Sequence, residues 1–453
     1  MKPRSLSAVA AAVGGRLQGE DATVTGAAVD SRQVRPGDLF VALPGARNDG
    51  HEFVDAAFAA GAAGVVRSRP HDGARPSVIV DDTGEALRAL AGHERRNMDG
   101  PVVGVTGSTG KTSVKDLIAA VLATRHRVGV SPRSYNTEVG VPLTLLNLSP
   151  DTEIAVLEMG SRGKGHIATL CDIARPDFGV VTNVGLAHLE MFGSPEAVGE
   201  AKRELVEALP ATGTAVLNAD DPVVRTFAGH TRARVLQYGT DAAADIRGEN
   251  LVLDRAGRPS FTLRTPSGTE HVELGVVGEH MAWNALAAAG CGVALGLSAG
   301  ECAAGLKEAR LSPWRMDVFE GRDGVTVVND AYNANPSSMA AALKAARWMA
   351  GDGRCLAVLG EMAELGDVSD REHERIGELI ARLGIDALVT VGPRARVIGA
   401  GAVREGVDAE RVIATDTLDE AVDAVRGAAR PGDVVLVKGS RVAGLERVAE
   451  ALR

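Results

Sequence analysis

The segment from residue 101 to residue 122 constrains the fold more than any other part of the chain. An apolar run, PVVGV, is followed by the loop TGSTGKTS (residues 106–113) and then by apolar residues at helical spacing. A strand, a glycine loop and a helix start, in this order, point backbone N–H groups and a positive helix dipole at phosphate oxygens. The pattern therefore predicts an α/β domain with a triphosphate at the end of one strand.

The loop departs from the strict pattern G-x-x-x-x-G-K-[ST], because Val105 stands in place of the first glycine. A G-K-T triplet in a chain with 54 glycines is also compatible with an ordinary helix start. The strand-to-helix context favours nucleotide binding, in which Lys111 reaches the outer phosphates and the Thr112 hydroxyl coordinates Mg²⁺. The residues expected to contact the phosphates are Gly107, Ser108, Thr109, Gly110, Lys111, Thr112 and Ser113.

Length, charge and cysteine usage limit the class of protein. A chain of 453 residues exceeds what one hydrophobic core usually supports, which predicts two to four domains. The net charge of −10 argues against nucleic acid or an acidic membrane as a partner. The four cysteines include no C-x-x-C pair, so a zinc site and a disulfide framework are both disfavoured. The alanine-rich start is short and weakly apolar, and no stretch of about 18 apolar residues follows, so we expect a cytosolic protein without membrane insertion.

Strand-like and helix-like stretches alternate along the chain, as is typical of α/β proteins with parallel sheets. Turn-rich segments divide it into three predicted domains, residues 1–98, 99–312 and 313–453. Residues 246–273 alternate in polarity and are predicted to form an antiparallel excursion. Chemistry in parallel sheets gathers at the carboxyl ends of the strands. The polar and glycine residues predicted to lie there are Glu158, Asn183, Asn329, Asp330, Gly360, Gly392 and Lys438.

Three of the candidate residues allow two interpretations from the sequence alone. Glu158 ends an apolar strand, where it suits Mg²⁺ but could also cap the following turn. His188 follows another strand end, where a histidine is more often structural than a ligand. Lys202 lies in a predicted helix, where a lysine is ordinarily solvated.

Two strand-to-helix turns carry an unusual amount of hydrogen-bonding capacity. In the segment NDAYNANP (residues 329–336), Asp330 is placed to bind a ribose hydroxyl, while Asn335 before a proline also suits a helix N-cap. The segment KGSR (residues 438–441) ends a strand with two cations and a hydroxyl, which suits a carboxylate or a phosphate. Both turns favour a small-molecule site over the partner surface of a nucleotide-driven switch or motor.

Taken in order, these segments resemble the Mur ligases, the ATP-dependent amide-forming enzymes of peptidoglycan precursor synthesis. The phosphate loop is similar to the family form T-G-x-x-G-K-[TS], which lacks the outer glycine. The other resembling segments are DSRQVRPGDLFVAL (30–43), DGHEF (49–53), YNTEVGVP (135–142), EMG (158–160), AHLEMFGS (187–194), YNANP (332–336), GEMAELG (360–366) and VKGSR (437–441). The chain lacks the D-Y-A-H-x-P and Asp-Asn-Pro-Arg motifs of the member that adds meso-diaminopimelate, which favours the dipeptide-adding member.

The resemblance implies three domains: a small N-terminal α/β domain for the UDP-sugar, a central P-loop parallel-sheet ATPase domain, and a C-terminal Rossmann-like domain for the incoming amine. It implies a monomeric ligase that joins D-alanyl-D-alanine to UDP-MurNAc-tripeptide, through an acyl phosphate, with ATP and two Mg²⁺ ions. The alternative is another ligase of the superfamily, which adds a different amino acid or serves another pathway.

The same resemblance implies roles for individual residues. The catalytic residues would be Lys111, Glu158, His188 and Lys202, and the metal ligands Thr112, Glu158, His188 and Lys202, the last as a lysine carbamylated by CO₂. For the nucleotide, Asn284 would face adenine, Arg315 a phosphate and Asp330 the ribose. The substrate-binding residues would be Ser31 and Arg32 near the uridine, Asn136, and Asn333, Asn335, Lys438 and Arg441 near the amine acceptor.

Overall fold

Three larger β-sheets and one two-stranded sheet, flanked by helices, make up the computed structural model, which describes residues 1–45, 48–70, 75–186 and 189–453. The predicted α/β fold class is therefore confirmed. The boundaries predicted at residues 98 and 312 fall between consecutive sheets. As domain limits they stay predictions. Within the described ranges, no helix is both long and apolar enough to cross a membrane.

The N-terminal sheet is small and mostly parallel. The elements of this part are β1 (Arg4–Ser5), α1 (Leu6–Val13), β2 (Arg16–Gln18), β3 (Thr23–Val24), β4 (Gly26–Ala28), β5 (Asp38–Val41), α2 (Val54–Ala59), β6 (Gly64–Arg67), β7 (Ser77–Ile79) and α3 (Thr83–Arg96). The strand order is β2-β7-β6-β5-β4, with only β2 and β7 antiparallel. Helix α3 begins at the N-cap Asp82, whose side chain accepts the N–H of Glu85, and it buries the face that carries Leu87 and Leu90.

The central sheet has nine strands and carries the phosphate loop. Its elements are β8 (Val102–Thr106), α4 (Lys111–Leu122), β9 (Val128–Val130), α5 (Gly140–Leu146), β10 (Ile154–Glu158), α6 (His166–Ala174), β11 (Phe178–Val181), α7 (Leu189–Phe192), α8 (Pro195–Glu207), β12 (Thr214–Asn218), β13 (Arg234–Gly239), β14 (Ile246–Leu253), β15 (Pro259–Thr265), β16 (Gly268–Glu273), α9 (Met281–Ala294) and α10 (Ala299–Lys307). The order is β16-β15-β14-β13-β12-β11-β8-β10-β9. Pairing is parallel from β9 to β14 and antiparallel beyond, which confirms the predicted excursion.

The third sheet has six strands and repeats the parallel strand-to-helix pattern. Its elements are β17 (Asp317–Glu320), β18 (Thr326–Asn329), α11 (Pro336–Ala350), β19 (Cys355–Leu359), α12 (Ser369–Leu383), β20 (Ala387–Val391), α13 (Arg396–Arg404), β21 (Val412–Thr415), α14 (Leu418–Ala428), β22 (Val434–Lys438) and α15 (Glu446–Ala451). The order is β17-β18-β22-β19-β20-β21, with only the β17–β18 pair antiparallel. The last strand, β22, therefore lies beside the first parallel strand, β18.

Strand register decides which loops meet. Strand β8 lies between β10 and β11, with Val105 opposite Glu158 and Thr106 opposite Val181. The loop after β8 is thus flanked by the ends of both neighbours. The central and third sheets share one hydrophobic cluster, in which buried side chains such as Met281 and Met339 take part. This shared packing places the third sheet next to the phosphate loop.

Arg95, near the end of α3, ties the N-terminal part to the central sheet. Its guanidinium donates to the carbonyl oxygens of Ala174 (2.8 Å) and Arg175 (3.1 Å) and to the Asp177 carboxylate (2.8 Å). Asp177 also accepts the N–H of Val102, at the start of β8 (2.9 Å). Burial lowers the pKa of Arg95, and the nearby Asp177 charge opposes this shift.

We expect Arg95→Met to lower the free energy of unfolding by about 2 kcal/mol, because the Asp177 carboxylate loses its cationic partner and two carbonyl oxygens lose the guanidinium donor. Arg88→Met is the matched control on the same helix, since Arg88 pairs with the exposed Glu85 one turn away. That exposed pair contributes at most about 0.5 kcal/mol. Urea unfolding of both full-length variants measures the difference. Equal losses in the two variants would contradict the role given to Arg95.

Candidate active site

The loop between β8 and α4 has the backbone of an anion-binding turn. Gly107 and Gly110 have φ values of +146° and +79°. A Cβ at Gly110 would lie 2.8 Å from Asn284 Oδ1, and one at Gly107 would lie 1.9 Å from Thr182 Oγ1, so both positions require glycine. Gly110 is also the N-cap of α4, and no side chain of the described residues caps this helix. The first N–H groups of α4 are therefore available to an anion.

Asn183, two residues beyond β11, holds the loop in place. Its side-chain oxygen accepts from both the N–H (2.9 Å) and the hydroxyl (3.0 Å) of Thr109, and its carbonyl oxygen accepts the N–H of Ser108 (2.9 Å). Lys111 folds back so that its Nζ donates to the Gly107 carbonyl (2.7 Å). Burial lowers the pKa of Lys111, and the Glu158 charge opposes this shift. The sequence predicts for Asn183 only a position at a strand end.

Thr112 is the point where three parts of the chain meet. Its hydroxyl donates to Glu158 (2.9 Å), lies 3.1 Å from the Ser134 hydroxyl, and accepts from Arg315 (3.0 Å). The other Glu158 oxygen accepts from the Asn136 amide (2.7 Å). Among the described residues this carboxylate accepts from these side chains, so the interpretation of Glu158 as a turn cap is wrong.

The donors around Thr112 suit a hard divalent cation. Glu158 is 1% exposed and offers carboxylate oxygens beside the Thr112 hydroxyl, the ligand chemistry that Mg²⁺ prefers. In the described ranges no group of three His, Cys, Asp or Glu side chains could hold a metal ion by itself. A cation bound here would therefore take its remaining ligands from water or from a phosphate. His188, the further predicted ligand, lies outside the described residues.

A cavity of about 590 Å³ opens over the phosphate loop, between the central and third sheets. This volume is typical of small-molecule sites. The predicted site residues that line it are Ser108, Thr109, Gly110, Lys111, Thr112, Asn136, Glu158, Arg315, Asn333, Asn335 and Arg441. The lining also includes residues that the sequence analysis did not assign: Ser134, Glu138, Arg162, His166, Tyr332, Glu364 and Ser440. Glu138, Tyr332, Glu364 and Ser440 lie in segments that resemble the Mur ligases, so the sequence indicated these segments without assigning a role to these residues.

Two arginines face the cavity from the third part of the chain. The Arg315 guanidinium lies 4.1 Å from the centre of the Tyr332 ring, and that of Arg441 lies 4.9 Å from the Trp314 ring. The residues on both sides of Arg315 have positive φ, +63° at Trp314 and +49° at Met316. Such strain in residues other than glycine persists where the surroundings impose it, commonly at functional sites.

Lys202 is buried in α8, so the ordinary expectation of a solvated helix lysine is wrong. It is 1% exposed, and its Nζ donates to the Ser161 hydroxyl (2.7 Å). Burial, followed by the charge of Lys111, holds the pKa of Lys202 well below its usual range, and Glu204 opposes this shift. Lys202 is not among the residues that line the cavity. The shift favours the neutral amine more than at an ordinary exposed lysine.

Asp330 and Lys438 form a buried ion pair (2.5 Å) at the ends of the adjacent strands β18 and β22. Lys438 also donates to the Asn333 carbonyl (2.9 Å), and Asp330 accepts the N–H of Met316 (3.1 Å). Burial lowers the pKa of Lys438, and the Asp330 charge opposes this shift. Neither residue lines the cavity, so the contacts predicted for them stay predictions. Their observed contacts connect the strand ends to the turn that carries Asn333.

The remaining predicted residues occupy varied positions. Asn335 caps α11 by accepting the N–H of Ser338 (2.9 Å), which confirms the N-cap interpretation. Asn284 is buried against Gly110, behind the loop. The structure does not bring the other three to the cavity: Ser113 is buried in α4, while Ser31 and Arg32 lie in a turn capped by Asp30. Their substrate and phosphate contacts stay predictions.

The fold and this site define a class, the phosphate-loop α/β proteins with a nucleotide-type site between two sheets. Three family descriptions match the chain: the catalytic domain of the Mur ligase family (residues 23–95), the Mur ligase middle domain (105–292) and the Mur ligase glutamate ligase domain (314–441). The UDP-N-acetylmuramoyl-tripeptide–D-alanyl-D-alanine ligase of Mycobacterium tuberculosis is 44% identical, over 93% of this chain and 91% of that protein. The chain belongs to the Mur ligase family.

Two solved structures agree with this assignment. MurF from Acinetobacter baumannii superposes with a TM-score of 0.89 at 29% identity, covering 100% of this chain and 99% of that one. The MurF ligase from Thermotoga maritima, in complex with ADP, gives a TM-score of 0.82 at 32% identity, with 95% and 97% covered. The three-domain Mur ligase architecture implied by the sequence resemblance is confirmed.

We expect Lys202→Met to raise the thermal midpoint of unfolding at pH 7 in CO₂-free buffer. The folded state binds the Lys202 proton more weakly than the unfolded chain does, so protonation of Lys202 favours unfolding. This loss of stability is present below the ordinary lysine pKa of 10.5 and disappears as the pH approaches that value. The gain of the variant should therefore shrink between pH 7 and pH 10. Lys164→Met is the control, because Lys164 is exposed and its ion pair with Glu200 lies at the surface. A lower midpoint for Lys202→Met at pH 7 would contradict the prediction.

Proposed function

We propose that this protein is an ATP-dependent ligase that joins D-alanyl-D-alanine to UDP-MurNAc-tripeptide in peptidoglycan precursor synthesis. The observation that carries the proposal is the cavity bounded by the phosphate loop and Glu158 on one side and by Arg315 and Arg441 on the other. It is a place where a triphosphate and two further substrates can meet. The name of the Mycobacterium tuberculosis relative and the ADP complex of the Thermotoga maritima ligase support the same activity.

A carboxylate is a poor electrophile near neutral pH, so amide formation requires its activation. The tripeptide carboxylate attacks the γ-phosphorus of ATP, an acyl phosphate forms, and ADP leaves. Two anions must approach each other, and Lys111, Arg315 and the N–H groups of the loop offset their repulsion. Mg²⁺, held by Glu158 and Thr112 together with His188, would supply further neutralisation of phosphate charge when bound. Positioning and electrostatics supply the catalysis, without a nucleophilic side chain.

Lys202 is suited to become a carbamate. Its depressed pKa makes loss of the proton easier than at an ordinary lysine. The neutral amine so formed can attack CO₂, forming an N–C bond and releasing a proton. The product is an anionic oxygen donor, which exchanges a buried cation for a carboxylate-like Mg²⁺ ligand. The burial of Lys202 beside Ser161 supports this role, since water has little access to the group.

The second half of the reaction joins the amine. The neutral amino group of D-alanyl-D-alanine attacks the acyl carbon, an amide bond forms, and phosphate leaves. We assign the acceptor side to Asn333, Asn335, Lys438 and Arg441, the uridine side to Ser31 and Arg32, and the tripeptide side to Asn136. Asn284 and Asp330 are assigned to adenine and ribose. The segments 1–98, 99–312 and 313–453 would serve the UDP-sugar, ATP and the amine in turn, in a monomer in the cytoplasm, where ATP is available.

The purified protein should release phosphate from ATP rapidly only when UDP-MurNAc-tripeptide and D-alanyl-D-alanine are both present. Lys111→Ala should lower this rate at least about a hundredfold, because the variant lacks a charge placed for the transferred phosphoryl group. Coupled phosphate assays with each substrate omitted measure the dependence, and Lys164→Ala serves as the surface control. Equal release with glutamate and a folate would assign the protein to another ligase of the superfamily.

Lys202→Ala should lose ligation and recover part of it when formate or acetate is added, because a small carboxylate can replace the carbamate oxygens. Lys111→Ala should show no recovery under the same conditions, which separates replacement of a carboxylate from a general salt effect. Initial rates over a range of carboxylate concentrations provide the measurement. Full activity of Lys202→Ala without any added carboxylate would remove the carbamate from the proposal.

A further inference from the structure

Lys115 is a buried cation one turn into α4, and it does not line the cavity. Its Nζ donates to the carbonyl oxygens of Ser131 (2.8 Å) and Arg133 (2.9 Å) and pairs with a carboxylate oxygen of Asp116 (3.0 Å). An ammonium group has three hydrogens to donate, so these acceptors use all of them. Burying a charge is costly unless it is fully paired, and the two backbone acceptors belong to one loop. Lys115, which belongs to α4, therefore fixes that loop against the helix.

The loop held by Lys115 carries the partners of the candidate cation ligands. Ser131 is buried, and its hydroxyl accepts the N–H of Glu158 (3.2 Å). Arg133 has a φ of +50°, a conformation that costs a residue with a side chain about 1 kcal/mol or more, so the turn needs support. Three residues later, Asn136 donates to the Glu158 carboxylate (2.7 Å). The orientation of Glu158 thus depends on a segment that Lys115 anchors.

Asp116 connects the same turn of α4 to the third part of the chain. Its second carboxylate oxygen accepts the N–H of Ser312 (2.7 Å), where the chain leaves the central part. Three residues beyond Ser312, Arg315 donates to the Thr112 hydroxyl (3.0 Å). Asp116 therefore fixes the start of the segment that brings Arg315 to the phosphate loop.

We propose that Lys115 and Asp116 are positioning residues, which hold Glu158 and Arg315 in contact with the Thr112 hydroxyl. Lys115 acts through the loop of residues 131–136, and Asp116 acts through Ser312. The inference rests on the proposed function, in which Glu158 helps to bind the Mg²⁺ that accompanies the nucleotide. Removing groups that orient metal ligands typically lowers metal affinity by about 10- to 100-fold.

Calorimetric titration with ADP, with and without Mg²⁺, tests the role proposed for Lys115. The wild-type protein should bind ADP more tightly with Mg²⁺. In Lys115→Met this enhancement should fall by about tenfold, while the affinity for ADP without Mg²⁺ stays within about twofold of the wild-type value. A purely structural role would lower both affinities together. Lys164→Met, at an exposed lysine, should keep the wild-type enhancement. If a folded Lys115→Met protein keeps the wild-type enhancement of ADP affinity by Mg²⁺, the role proposed for Lys115 is overturned.

A double-mutant cycle with Asn136→Ala tests whether Lys115 acts through the loop. If it does, the two substitutions together should reduce the Mg²⁺ enhancement by little more than either one alone, because both act on Glu158. Multiplicative effects would overturn the proposed route. The wild-type ligation assay is run alongside. A wild-type protein that shows the Mg²⁺ enhancement but forms no amide would reject the proposed function and leave the positioning role standing.

Two substitutions at Asp116 test the role proposed for Asp116, and this test does not depend on the folding of Lys115→Met. Asp116→Asn keeps an oxygen acceptor for the Ser312 N–H, whereas Asp116→Ala removes it. We expect Asp116→Ala to lower the turnover number about tenfold and Asp116→Asn to recover most of that loss, with similar thermal midpoints for both. Equal turnover numbers in the two variants would overturn the role of Asp116. Losses of turnover that parallel the decrease in thermal midpoint would overturn it as well.

Discussion

The hydrogen bond from the Thr112 hydroxyl to the Glu158 carboxylate is the contact on which the rest of the site depends. Thr112 comes from the first turn of α4 and Glu158 from the last residue of β10. They meet because β8 and β10 are parallel neighbours, with Val105 opposite Glu158. Arg315 reaches the same hydroxyl from the third part of the chain. One polar contact therefore joins the phosphate loop, the candidate cation ligand and the domain that would bring the amine.

An acidic protein must concentrate positive charge locally to handle anionic substrates. The net charge is −10, yet Lys111, Arg315 and Arg441 line one cavity. The cations just outside that cavity, Lys202 and Lys438, are buried and have depressed pKa values. Burial favours the neutral form of Lys202, whereas the charge of Lys438 is compensated by Asp330. The same residue type thus serves different purposes, which its surroundings decide.

Local patterns predicted the fold well. The strand–loop–helix order around Lys111, the antiparallel excursion and the N-cap at Asn335 each depend on neighbours within a few residues, and the structure confirms them. The site was predicted less completely, because its contacts join distant segments. The burial of Lys202 arises from packing of α8, which a helix pattern does not reveal. The Asp330–Lys438 pair joins residues 108 positions apart, so only the sheet order brings them together.

A crystal structure with a non-hydrolysable ATP analogue, Mg²⁺ and UDP-MurNAc-tripeptide tests the proposed site most directly. We expect the γ-phosphate against the N–H groups of Gly110 to Thr112, a cation bound to Glu158 and Thr112, and the tripeptide carboxylate in the cavity between these residues and Arg315. A nucleotide bound elsewhere, with Glu158 still hydrogen-bonded only to Thr112 and Asn136, would contradict this expectation.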